Sequence, residues 1–343
     1  MKFMVKAASD PGLKRAHNED MLLIISDLIR DDVYDKEFEK DTKVSPVIFA
    51  VSDGMGGHSS GDVASATVLR ELAVAMNGLG SDLSLEELRN YFTETIEEIH
   101  EGLVEQARRD NAKKGMGATL IAILFYENKV FYINAGDSRL YRFRRGILKK
   151  ISKDHSLAEA AGYDRGTTHV LLNSVGGGEK VEVDFFEISD IVISGDTFLL
   201  CSDGLTDLVD DDTIEEILDV NPESFVLVNE AKKNGGNDNI SVILATVDFV
   251  SGVTEPENEF LELVNKEREG LEQMDNFEAD KFIRENEMEL LTVHKTKNIS
   301  GDDAEIRVYK KGEMKIVVTN VEHESASEGT LNFATSYGNI SKL

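Results

Sequence analysis

The chain has 343 residues, 41% of them hydrophobic, enough for one large domain with an appendage or for two domains. Its 65 acidic residues against 37 basic ones give a formal net charge of −28, which disfavours nucleic-acid backbones and anionic membrane surfaces as partners. A single cysteine, Cys201, excludes an intrachain disulfide, and no run approaches the ~18 apolar residues that span a bilayer.

In chain order, the first residues, Met1 to Lys6, lack the apolar core of a secretion signal, so a cytoplasmic location is expected. Met21–Ile25 and Val47–Val51 are apolar runs of strand length. Gly61–Met76 carries Ala64, Val68, Leu72 and Ala75 at helical spacing. Ser84 and Glu87 match a capping box that opens a second helix with the stripe Leu85, Leu88, Phe92, Ile96, Ile99, Leu103. Thr119–Tyr126 reads as a strand, and Lys129–Asn134 with Ser138–Phe143 reads as a hairpin around Ala135-Gly136-Asp137. Residues 156–190 are irregular and glycine-bearing, a pattern of functional surface segments. Thr197–Ser202, with Cys201 inside it, reads as a buried strand. Two helices are expected next, one from Asp212 and one capped by Asn221 with Pro222 at its first position and Gly235 as its stop. Ile240–Val247 follows as a strand.

Composition shifts after Val250. Glu255–Glu289 is acidic and helix-prone, with Phe260, Leu261, Val264, Leu271, Phe277, Phe282 and Ile283 as its apolar residues. Ile306–Tyr309 and Met314–Thr319 read as strands joined at Lys311-Gly312. The expected division is residues 1–250 and an extension, 251–343, helical and then β-rich.

Four aspartates stand at strand ends: Asp20 before Met21, Asp53 after Val51, Asp203 after Ser202 and Asp238 before Ile240. Two are followed at once by glycine, Gly54 and Gly204, which permits close backbone approach. Gathered carboxylates repel each other unless a cation lies among them, and an all-oxygen donor set suits Mg²⁺ or Mn²⁺ better than zinc. Taken singly, each aspartate reads more readily as a plain turn or cap residue; the joint pattern favours a metal centre.

Several ordered segments carry a family likeness. They are Arg15-Ala16-His17-Asn18-Glu19-Asp20, Asp53-Gly54-Met55-Gly56-Gly57-His58, Gly117-Ala118-Thr119, Asn134-Ala135-Gly136-Asp137-Ser138-Arg139, Ser202-Asp203-Gly204-Leu205 and Gly236-Asn237-Asp238-Asn239-Ile240. Residues 1–250 thereby resemble the compact bacterial form of the protein phosphatase 2C family. The resemblance implies an α+β fold, a four-layer α-β-β-α sandwich of two antiparallel sheets flanked by helices, here with a small C-terminal extension. It implies a phosphoprotein phosphatase acting on phosphoserine and phosphothreonine, with two Mn²⁺ or Mg²⁺ ions and a metal-bridging hydroxide attacking phosphorus directly. By the same resemblance Asp53 bridges the ions, Asp203 and Asp238 hold the first, and the Gly54 carbonyl with Glu19 and Asp20 holds the second, directly or through water. Asp137 matches the position that, with Asp203, takes a third and weaker ion; a plain turn aspartate is the competing reading. Arg15 matches the phosphate-gripping arginine, against a surface salt bridge. His58 matches the general acid, against a helix cap or a carboxylate holder. Asp154 and His155 read as supporting residues, while His100, His169, His294 and His323 have no chemical context. Expected partners are phosphorylated proteins and a cognate serine/threonine kinase, with the extension as a docking or regulatory module for a protein partner.

Two features depart from the family pattern. By the resemblance residues 156–190 correspond to the family's flap beside the active site, and the basic run that bacterial members often carry near its end is missing from His169-Val170-Leu171-Leu172-Asn173-Ser174-Val175-Gly176-Gly177. Residues 251–343 lie outside the resemblance. Two other functions are compatible with the same fold: a pseudophosphatase serving as a binding or sensor protein, and a phosphatase for small phosphoesters.

Overall fold

The computed structural model describes residues 1–56, 60–163, 168, 170–248, 271–274, 289–297, 303–311, 314–322 and 332–339. It divides into two compact units, one of residues 1–187 and 195–248, the other of 188–194 and 249–343.

The first unit contains two six-stranded antiparallel sheets. One runs from edge to edge through Ile147–Lys150, Arg139–Arg144, Asp196–Cys201, Ile240–Asp248, Lys2–Asp10 and Val33–Glu39. The other runs through Asp184–Glu187, Lys129–Ala135, Leu120–Tyr126, Val47–Ser52, Met21–Ile24 and Asp27–Ile29. Aromatic rings join the sheets. Phe3 of the first lies 5.7 Å from Phe49 and 5.0 Å from Phe125 of the second, and Phe125 lies 6.2 Å from Phe198. Alternate residues of Val47–Ser52 face opposite ways. Phe49 points to the other sheet, whereas Ile48 and Ala50 join a core with the outer helices. Coverage on both faces explains why all six residues of that strand are buried.

Those outer helices are α1 (Gly61–Gly78) and α2 (Leu85–Arg109). The expected capping box is present, with Glu87 N–H donating to Ser84 Oγ and Ser84 N–H to the Glu87 carboxylate. Leu88, Phe92, Ile96 and Leu103 of α2 pack with Val68, Leu69 and Leu72 of α1 in one core. Beyond the other sheet, after α3 (Leu157–Ala161) and α4 (Asp203–Thr206), lie α5 (Asp211–Val220) and α6 (Ser224–Lys233). Ile214, Leu218, Leu227 and Val228 pack there against Leu199, Val242 and Leu244. Helices, sheet, sheet, helices is the four-layer order the resemblance implies.

Three expectations are corrected. Lys129–Ala135 and Arg139–Arg144 do not form a hairpin. The former pairs with Leu120–Tyr126 and Asp184–Glu187, the latter with Ile147–Lys150 and Asp196–Cys201, so Gly136-Asp137-Ser138 carries the chain from one sheet to the other. Gly136 has φ +136, and a Cβ there would come within 2.6 Å of Thr119. Second, Asn221 does not cap α6: its N–H donates to Ile217 O and closes α5, and Glu223 precedes α6. Third, Leu271–Met274, inside the helix-prone stretch, is a strand; the rest of that stretch lies outside the described residues.

The second unit contains a five-stranded antiparallel sheet in the order Leu271–Met274, Asn332–Asn339, Met314–Glu322, Asp303–Lys311, Glu289–Lys297. The expected pairing around Lys311-Gly312 is present, with Lys311 opposite Met314. Among the described residues no helix is long and apolar enough to cross a membrane.

Candidate active site at the seam of the two sheets

Strand register brings the four aspartates to the same end of the sandwich. Met21 pairs with Ser52, so Asp20 and Asp53 stand just beyond the ends of neighbouring antiparallel strands. Cys201 pairs with Val242, and Ser202 N–H donates to Ser241 O at 3.1 Å, which puts Asp203 and Asp238 at the matching end of the other sheet. Ser202 Oγ crosses the seam and donates to Asp20 Oδ2 at 2.7 Å.

Glycines allow the approach. A Cβ on Gly54 would sit 2.1 Å from Gly61 O and 2.5 Å from Glu19 O. A Cβ on Gly204 would sit 1.8 Å from Asn239 O. Gly54–Met55 pairs with Gly117–Ala118 in a two-stranded ladder. Asp53 is fixed by its own backbone: its N–H donates to Thr119 Oγ1 and its carbonyl accepts from Thr119 N–H, both at 2.9 Å.

The loop of residues 11–19 is held by Asn239, which donates to the carbonyls of Pro11 and His17 at 3.0 Å and accepts from Glu19 N–H at 2.8 Å. Arg30 donates to the carbonyls of Asp20 at 2.7 Å and Asp62 at 2.9 Å, tying this loop to the start of α1. Arg15, half-exposed, reaches Asp238 Oδ2 at 2.5 Å.

The electrostatics are those of crowded carboxylates. Burial, opposed by hydrogen bonds from Ser202 and Ser241 and reinforced by Asp203 and Asp238, raises Asp20 to about 7. Burial, then the charges of Asp20 and Asp203 and a hydrogen bond to Asp203, with Asp238 behind them, pushes Asp53 well above the usual carboxylate range. Burial also raises Glu19, opposed by the Gly61 N–H and by Arg15. Against its own partial burial, Arg15 is held protonated by Asp238, Glu19 and Asp53. A cation among these groups would lower the cost of their ionisation.

By their chemistry these groups would suit a hard divalent ion. Their donor atoms are all oxygen, and Asp20 Oδ1 is buried with no protein hydrogen-bond partner. Among the described residues no three His, Cys, Asp or Glu side chains stand at metal-holding spacing. The carboxylates feel one another's charge, while Arg15 takes Asp238 and Ser202 takes Asp20.

Asp20, Asp53, Asp203, Asp238, Glu19, Gly54 and Arg15 are thus brought to one neighbourhood. Asp137 lies at the crossing between the sheets, largely buried, on the rim of a small cavity with Arg139, Asp154 and Asp207. His58 lies outside the described residues. Asp154 supports Arg139 through bonds of 2.6–3.0 Å. His155 Nε2 lies 3.0 Å from Asp184 Oδ2, and Asn173 Nδ2 lies 2.7 Å from its Nδ1. Arg30 carried no signal in the sequence, because its role is to bind carbonyls contributed by distant segments. His100 was equally silent: it lies on the buried stripe of α2, one residue from Ile99, and its partner is 76 positions away.

Comparison with known proteins agrees with this geometry. The family model described as protein phosphatase 2C matches residues 24–244. The serine/threonine phosphatase stp of Listeria monocytogenes is 34% identical over 257 residues, covering 70% of this chain and 94% of that protein. The crystal structure of the Mycobacterium tuberculosis serine/threonine phosphatase PstP/Ppp superposes with a TM-score of 0.57 at 30% identity, covering 73% of this chain and 100% of that one. The catalytic domain of PstP in complex with 2 manganese ions gives a TM-score of 0.56 at 30% identity, over 72% of this chain and 100% of that one. With the ordered motifs, the layered fold and a family match over most of its first unit, this chain belongs to the protein phosphatase 2C family.

Proposed function

We propose that the chain is a Mn²⁺- or Mg²⁺-dependent protein phosphatase that hydrolyses phosphoseryl and phosphothreonyl esters. One observation carries the reading: aspartates from strand ends in both sheets gather at one end of the sandwich, at the cost of raised carboxylate pKa values, with Arg15 beside them. Asp53, Asp203, Asp238, Glu19, Asp20 and the Gly54 carbonyl are the proposed donors to two ions, and Asp137 a donor to a third and weaker one. Bound ions supply Lewis acidity and a water acidified toward neutral pH. Arg15 presents a planar fork to two phosphate oxygens and gives up Asp238 to do so. His58 is the proposed proton donor to the departing seryl or threonyl oxygen. With Cys201 buried inside a strand, a cysteinyl phosphate route has no support.

Phosphorylated proteins are the proposed substrates, their serine/threonine kinase the counterpart, the cytoplasm the place of action, and residues 251–343 a docking or regulatory module for a protein partner. Phosphate release from phosphothreonine peptides and from a small aryl phosphate, each with EDTA, Mg²⁺ or Mn²⁺, tests the reading. Release that needs the metal and favours peptides supports it. Metal-dependent release from the aryl phosphate alone makes the chain a small-phosphoester phosphatase. No release from folded protein makes it a binding protein on a phosphatase fold.

A further inference from the structure

His100 is 3% exposed on the inner side of α2. Its Nδ1 accepts a hydrogen bond from Gly176 N–H at 3.0 Å, so the ring carries its proton on Nε2. Nε2 is buried and has no hydrogen-bond partner among the described residues. An apolar side chain would fill this place without that cost. What the imidazole provides, and a leucine cannot, is the acceptor for Gly176.

That acceptor stands at the head of a chain of main-chain contacts. Gly176, at φ +84, packs so closely between α2 and the next layer that a Cβ would meet Leu103 Cβ at 2.9 Å and Gly117 Cα at 3.2 Å. Its neighbour Val175 exchanges both bonds with Ala118: Ala118 N–H to Val175 O at 2.8 Å and Val175 N–H to Ala118 O at 2.9 Å. Gly117–Ala118 pairs with Gly54–Met55, and Thr119 holds both backbone groups of Asp53. Four successive segments are thus linked by hydrogen bonds, from α2 to the proposed bridging aspartate, and Ser138 Oγ joins the last of them at 2.7 Å from Thr119 Oγ1.

We propose that His100 is a positioning residue for the metal centre: by fixing Gly176 it fixes Val175, the ladder 117–119, and through them Asp53 and the Gly54 carbonyl. The inference rests on the reading of Asp53 and Gly54 as metal donors. Groups that orient metal ligands without touching the metal commonly change metal affinity or activity about 10–100-fold when removed, which sets the size of the effect.

The test compares full-length wild-type protein with His100→Leu, His100→Asn and His100→Gln. Asn offers an oxygen near the place of Nδ1, whereas Gln reaches past it toward Nε2. In metal-free protein, amide hydrogen exchange in peptides covering 52–55 and 117–119 is expected to quicken in the Leu and Gln variants and to stay near wild type in Asn. The Mn²⁺ concentration giving half-maximal phosphate release is expected to rise about tenfold in Leu and Gln, with recovery in Asn. Should Leu fail to fold, the contrast between Asn and Gln decides. Leu and Gln variants indistinguishable from wild type in exchange and in Mn²⁺ response overturn the proposal. Wild-type protein without metal-dependent release, by contrast, overturns the phosphatase reading itself, while the exchange comparison still reports on the His100 relay.

Discussion

Ser202, just past the end of a strand in one sheet, donates a 2.7 Å hydrogen bond to the buried carboxylate of Asp20, 182 positions earlier in the chain and just before a strand of the other sheet. The same hydroxyl accepts from Ser241 N–H at 3.1 Å. One side chain therefore serves the seam and the ladder together. Above pH 7, where Asp20 is ionised, Ser202→Ala is expected to cost about 1.5–3 kcal/mol, the range for hydrogen bonds to charged groups. Urea unfolding would measure it as a lower midpoint with an unchanged slope. A change under about 0.5 kcal/mol would mean that this bond contributes nothing to holding the sheets in register.

The raised carboxylate of Asp20 makes stability depend on pH. Folding raises this group from 3.8 to about 7. Between those values the folded chain keeps a proton that the unfolded chain has released. The contribution is full below the unfolded value and is lost as pH rises through the folded one. About three pH units at ~1.4 kcal/mol each place the loss on the order of 4 kcal/mol at most. EDTA-treated protein is expected to melt lower at pH 7.5 than at pH 5.5, and Mn²⁺ is expected to narrow the gap by stabilising the ionised carboxylates. An Asp20→Asn variant with the same pH slope as wild type would assign the effect to other groups.

Gly204 has no room for a side chain. Its missing Cβ would lie 1.8 Å from Asn239 O, a main-chain atom of the turn that carries Asp238. Gly204→Ala is expected to destabilise by about 3 kcal/mol or more, since backbone must move to relieve the overlap. A thermal scan that finds the melting temperature unchanged would show the turn to be free to yield.

Much of this was legible in the sequence because the relevant signals are local. The four aspartates adjoin apolar runs, and the α2 cap and stripe are written in Ser84, Glu87, Leu88, Phe92 and Ile96. The segment Val33–Glu39 was not legible. It is an edge strand with exposed, charged residues, and only its pairing with Lys2–Asp10 defines it. Lys2–Asp10 alternates Phe3, Val5, Ala7, yet two alanines and a serine give its second half little apolar volume. The crossing at Gly136-Asp137 looks like a hairpin because a Gly-Asp bend between alternating runs is common to both; which sheet the chain enters next depends on Asp196–Cys201, far along the sequence. Of the site, the carboxylates were visible and their supports were not. Asn239, Arg30 and His100 act on backbone groups from segments remote in sequence, and such bonds leave no periodic trace.

Arg15 is half-exposed and bound to Asp238 at 2.5 Å, so it can turn from one anion to another. Arg15→Ala is expected to lower kcat/KM for phosphothreonine peptides about 10–100-fold, mostly through KM, as one charge-assisted fork is lost. Steady-state kinetics in saturating Mn²⁺ would measure it. Unchanged KM and kcat would remove Arg15 from phosphate binding and leave it a surface ion pair.

The most direct measurement is phosphate release from a phosphothreonine peptide by Asp53→Ala protein in saturating Mn²⁺, beside wild type. Asp53 combines a carboxylate raised well above its usual range with a backbone fixed by Thr119. Release by wild type, and none by a variant that melts no lower than wild type, is the expected result. Near-wild-type release by the folded variant would contradict a metal centre built on Asp53.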